Sequence, residues 1–160
     1  MGFHETLQRN NGMTTRMETN VDSFNSLLRG ELSAVETYDQ ALGRLANEPQ
    51  EPTIRRIREE HVKASTALRD HVVEHGGDPA KSSGPWGYFA TAVTGTAKLL
   101  GVQATLSALS KGEEHGIKTY EEAVKKEDLP HECQLLISDR LLPQTRRHMK
   151  TLDDLIASVK

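Results

Sequence analysis

The chain has 160 residues, enough for one domain with a sizeable core, and no Pro/Gly/Ser-rich linker divides it. Charged residues make up 27% and aromatics only 4%, a balance that suits helices better than sheets, so an all-α protein is expected. The formal charge of −3 arises from mixed signs without a basic block, which argues against a nucleic-acid partner.

In chain order, residues 1–20 read as a disordered N-terminal tail with no secretory signal. The spacing then predicts a first helix from about Val21 to Ala46. Its apolar seam is Phe24, Leu28, Glu31, Val35, Tyr38, Leu42 and Leu45, in the alternating steps of four and three that mark packing between near-parallel helices. Glu31 is the polar intruder on that seam. A second helix starts after Pro52 and ends at Gly76 and Gly77, with the seam Ile54, Ile57, His61, Ala64, Leu68, Val72 and His75. Here His61 is the intruder.

Residues 76–87, "GGDPAKSSGPWG", are turn chemistry, with Trp86 expected as a packing anchor. The stretch 88–109 is rich in small residues, and Lys98 and Gln103 make it a poor membrane helix, so it reads as an extra helix in a long crossover. It breaks near Gly101 and runs into a third long helix with the seam Val102, Leu106, Leu109, Glu113, Ile117, Tyr120 and Val124. A last helix carries Ile137, Leu141, Thr145, His148, Leu152, Leu155 and Val159, and Pro143 is placed to kink it. Cys133 is the only cysteine, which rules out an internal disulfide or a thiolate zinc cluster and fits a cytoplasmic setting.

"RGELSAVETYDQAL" (29–42) and "KGEEHGIKTYEEAV" (111–124) share Gly, Glu, Thr, Tyr and Ala in register. Each copy precedes a helix with a histidine near its middle. The pattern predicts duplicated helical hairpins, 21–76 and 102–160, joined by one long crossover: an antiparallel four-helix bundle. Glutamate is rarely buried unless paired or bound to metal, so Glu31, His61, Glu113 and His148 form a coherent mid-bundle set able to hold one iron, manganese or zinc ion. His71, His75, His115 and His131 lack paired counterparts and are expected at the surface or at helix ends. No nucleophile with an adjacent base, phosphate-cradling loop or dinucleotide fingerprint is present.

"GExxAxxxY" at 30–38 resembles the first-helix signature of rubrerythrin-type ferritin-like proteins, and "GEEHGIKTY" echoes it. From about 21 to 159 the chain also resembles an uncharacterised ferritin-like family known only as a domain of unknown function, through "LLRGELSAVETY", "GPWG" and "KGEEHGIKTYEEA". The resemblance implies a ferritin-like bundle with a di-metal site in which the second and fourth helices each supply Glu-x-x-His. The positions three before His61 and His148 are Arg58 and Thr145, so two carboxylates are missing. Glu59 and Glu60 turn away from the seam and read as poor substitutes. Without those carboxylates two adjacent cations repel one another, which disfavours the dinuclear state.

Arg58 offers a metal-free alternative, a bidentate pair with Glu31 inside a buried polar network. Tyr38, Tyr120, Arg58 and Thr145 are expected around the quartet. Three readings follow. The favoured one is a non-catalytic bundle with a degenerate site and no cofactor. The second is a metal-binding oxidase or peroxide-stress protein. The third is a membrane-surface or partner-binding stress protein that uses the small-residue helix. Self-association, as a dimer, is expected through residues 90–108.

Overall fold

The computed structural model describes residues 3–84 and 101–159, with side chains from residue 12 onward. The described residues form α1 (Phe3–Arg44), α2 (Glu51–Glu74), α3 (Gly101–Val124), α4 (His131–Leu136), a π-helical turn (Ile137–Leu141) and α5 (Leu142–Ser158). Helix α1 packs along α2 and α3 packs along α5, which gives the two hairpins of an antiparallel four-helix bundle. Trp86 and most of the stretch 88–109, expected as a crossover helix and a self-association surface, lie outside the described residues. No described helix is long and apolar enough to cross a membrane.

The first hairpin turns within six residues, where Asn47 takes a left-handed φ of 68° that its short polar side chain tolerates. Pro52 then sits in the first turn of α2, where its missing N–H has no intrahelical partner to lose. At the other end, the Gly77 N–H bonds to the Val72 carbonyl and the Gly76 N–H to the Val73 carbonyl, each at 2.9 Å. With Gly76 at φ 77°, this is a Schellman stop.

Helix α1 starts far earlier than the seam predicted, because its 42 residues span about 63 Å against about 36 Å for α2. The end of α2 is level with Val21, since a Cβ on Gly77 would collide with the Val21 methyls. Residues before Val21 therefore extend a packed helix past its partner, and Met13 and Met17 are exposed there. The stretch expected as a disordered tail, residues 1–20, is helix from Phe3 onward in this structure. The apolar pattern marked where packing starts, and helix propagates cheaply beyond an established turn.

Before Pro143 the chain widens into the π turn, closed by the Leu142 N–H on the Ile137 carbonyl. Proline cannot donate to the preceding turn and its ring crowds the carbonyl there, and the wider turn relieves both conflicts.

The core has two apolar halves. One contains Phe24, Leu28, Leu68, Val72, Ile137 and Leu141, and the other contains Leu45, Ile54, Ile57, Leu106, Leu109 and Leu152. Each of these side chains is essentially buried, contributing about 1.5–3 kcal/mol relative to exposure. On each of the four long helices, α1, α2, α3 and α5, the seam passes from one half to the other through a polar residue: Glu31, His61, Glu113 or His148.

Candidate metal centre

All four intruders are buried, at 5%, 4%, 2% and 3% exposure for Glu31, His61, Glu113 and His148. His61 lies between the two carboxylates, with Nδ1 2.7 Å from Glu31 Oε2 and Nε2 2.9 Å from Glu113 Oε1. Carboxylate oxygens only accept, so His61 donates from both nitrogens and is an imidazolium. Burial alone pushes this imidazole down, but the charges and hydrogen bonds of Glu113 and Glu31 outweigh it and raise His61 to about 10. Burial likewise pushes the Glu113 carboxyl up, while the charge of His61 and the contacts of both histidines lower it to about 2.

The tyrosines complete the layer in a crossed fashion. Tyr38 on α1 donates to Glu113 on α3 at 2.5 Å, and Tyr120 on α3 donates to Glu31 on α1. Each glutamate thus accepts from the tyrosine of the other repeat. A seven-residue step is two helical turns and keeps Glu and Tyr on one face, so the crossed pairing requires α1 and α3 to run antiparallel. Burial, then the facing carboxylates, hold both phenols well above their ordinary pKa.

Two expectations need correction. Arg58 does not pair with Glu31: its Nε lies 2.8 Å from Asp39 Oδ1, and both side chains are substantially exposed. Three residues back from His61 is far enough around the helix for a long side chain to leave the seam toward α1's outer face. Conversely, Glu60 belongs to the site, with Oε2 2.6 Å from His148 Nε2. The 100° step that turns Glu60 off the α2 seam turns it toward α5, where His148 waits. Comparing the flanks of α2 and α5, beyond the seams, could have found it. Thr145 is buried, bonded through Oγ1 to the Leu141 carbonyl at 2.8 Å, and provides no carboxylate.

His148 Nδ1 is the open valence. It is buried, makes no hydrogen bond, and lies 3.5 Å from Glu113 Oε2. One ligating atom from each of His61, Glu113 and His148 falls within 4.8 Å of the others. A cavity of about 450 Å³ between α1 and α3 reaches Glu31, His61 and Glu113 past Gly30, Ala34, Ala108, Gly112 and Gly116, with the exposed Lys111 at its edge. Of the remaining histidines, His115 and His131 are exposed, while His71 and His75 are partly buried. Burial raises the Cys133 thiol to about 12, which makes it an unreactive core residue.

The chain is similar over 88% of its length to a solved structure described as "ferritin like, diiron-carboxylate proteins" from Bacillus anthracis str. Ames. The match covers 97% of that chain, with a TM-score of 0.69 and 18% identity, and shows a shared fold. No curated protein matches the sequence. The model of a family described as "Domain of unknown function (DUF2383)" matches residues 19–126, which carry Glu31, His61 and Glu113 but not His148. That match spans well over half of the chain, which therefore belongs to this family.

Proposed function

We propose that the bundle binds a single iron or manganese ion through His61, Glu113 and His148, with Glu31 and Glu60 as supporting carboxylates. The observation that carries this reading is the buried His148 Nδ1, which makes no hydrogen bond and faces a Glu113 oxygen at 3.5 Å. Burying an unsatisfied nitrogen costs about 1–3 kcal/mol, and a cation between the two groups would satisfy both. Two ligands on one metal, each bonded at about 2.1 Å, stand roughly 3.4 Å apart in tetrahedral geometry, near the separation found. Three carboxylates and two imidazoles suit one such ion, whereas the two absent Glu-x-x-His carboxylates weigh against a pair.

A bound redox-active ion would supply one-electron chemistry toward a small oxidant such as peroxide. The chain's own contribution is the rest of the site. The cavity admits a small molecule past a glycine and alanine wall, Tyr38 and Tyr120 hold protons against the carboxylates, and the apolar halves on either side exclude bulk water. Ion binding at His61 must displace a proton, because imidazolium has no lone pair to give.

A second reading, a metal-free polar layer in a non-catalytic bundle, is favoured by the double hydrogen bond that already occupies His61. Elemental analysis of protein produced with iron and manganese separates the two. Metal binding predicts one ion per chain, greatly reduced in Glu113→Gln and in His148→Ala. Metal-free preparations of the wild type under both conditions would overturn the metal reading and leave the metal-free polar layer.

A further inference from the structure

Ten residues along α2 from His61, roughly 15 Å away, a second group of donors gathers where that helix ends. His71 and His75 are four apart on one helix face, and Glu132 enters from the first turn of α4; one ligating atom from each lies within 4.8 Å of the others. We propose that these three residues form a second cation site, for zinc or a zinc-like divalent d-block ion, independent of the central one.

Both rings are oriented by Phe24. His71 stacks on it face to face, with centroids 4.8 Å apart and planes 3° from parallel, and His75 tilts against it at 5.1 Å. The tautomer of His75 is fixed as well. Its Nδ1 lies 2.7 Å from the His71 carbonyl, which only accepts, so Nδ1 carries the hydrogen and Nε2 is the nitrogen whose lone pair the neutral ring offers to an ion. A backbone carbonyl on the far nitrogen is the support that metal-binding histidines commonly have.

His71 Nδ1 is buried without a hydrogen bond and lies 3.5 Å from both Glu132 Oε2 and Glu74 Oε2. Direct hydrogen bonds would close to about 2.7–3.2 Å. Donors sharing a tetrahedral zinc are spaced about as these are. Nitrogen and carboxylate donors without a thiolate are within zinc's range. His75 and Glu132 also border a cleft of about 840 Å³ that takes in Thr19, Asp128 and His131, so an ion has an open route. Binding would tie the end of the first hairpin to the start of α4 in the second.

The test uses the full chain in the Glu113→Gln background, which removes the central reading from the outcome. Calorimetric titration with zinc, and cobalt titration read by the visible bands of tetrahedral Co²⁺, should show one site. His75→Ala should weaken it by more than about 100-fold, beyond the 10–100-fold typical of losing a supporting residue. Glu132→Gln should weaken it too, with far-UV circular dichroism unchanged in both. Zinc affinity unaltered by His75→Ala and Glu132→Gln, or no zinc binding in the Glu113→Gln chain, overturns the proposal. Neither result bears on iron or manganese at the central layer.

Discussion

His61 is the residue on which the polar layer balances, because it donates a hydrogen bond from each nitrogen to a buried carboxylate and brings a positive charge between the two. Its raised pKa sets the direction of the pH dependence. A histidine raised from about 6.5 when unfolded to about 10 when folded contributes stability that is complete below about 6.5 and lost as pH rises toward 10. Glu113, lowered to about 2, contributes stability that is present above about 4.5 and lost as pH falls toward 2. Thermal melts of chelator-treated protein should therefore plateau between about pH 4.5 and 6.5 and decline on both sides. A midpoint that climbs from pH 7 to 9.5 would contradict the imidazolium assignment. Tyr120→Phe removes the proton that Glu31 receives from the other repeat and should lower stability by about 1.5–3 kcal/mol. Arg58→Ala should cost under about 1 kcal/mol, since its ion pair with Asp39 is exposed; both variants are read by urea denaturation. The four intruders were legible in the sequence because a charge on an apolar seam needs a reason. The partners of Arg58 and Glu60 were not, since periodicity gives the direction of a Cβ and says nothing of where a long side chain ends.

Among the elements, the seams of α2 and α3 were readable almost residue by residue, because apolar spacing is set by the same packing that buries them. The length of α1 was not readable that way: Met13 and Met17 are exposed, so the stretch before Val21 carries no apolar seam, and Asn10, Asn11 and Gly12 read as turn residues. Gly77 was legible as a helix end but not as a contact. Its lack of a side chain lets the end of α2 close on Val21, so Gly77→Ala should destabilise by about 1–3 kcal/mol through overpacking, measured as a drop in denaturant midpoint at constant m-value. A neutral substitution would mean that Val21 and Val72 can shift to make room. Pro143 signalled a disturbance in the last helix, and the form it takes, a widened turn, depends on tertiary packing that spacing alone does not describe.

For the whole molecule, the duplicated motif announced the bundle, since neither hairpin could bury its seam alone. The polar layer divides the core so that Leu68 and Ile57, both on α2, belong to different apolar halves. Leu68→Ala should cost about 2–5 kcal/mol and Ile57→Val about 0.5–1.5 kcal/mol. Their effects should add to within about 0.5 kcal/mol in the double variant, because the two sites share no packing partner; a coupling above 1 kcal/mol would show that strain crosses the layer.

The crossed tyrosine and glutamate pairs also bear on how the molecule assembles. Neither hairpin by itself contains either pair, so a hairpin formed alone keeps its central carboxylate wet and its phenol free. Docking dehydrates both glutamates in the same event, and gives each its tyrosine only when the two repeats meet in register. A slip of one turn would take the tyrosine partner from both acids at once. The layer is therefore a checkpoint on assembly, an all-or-none latch that closes on the correctly docked pair and penalises every near miss.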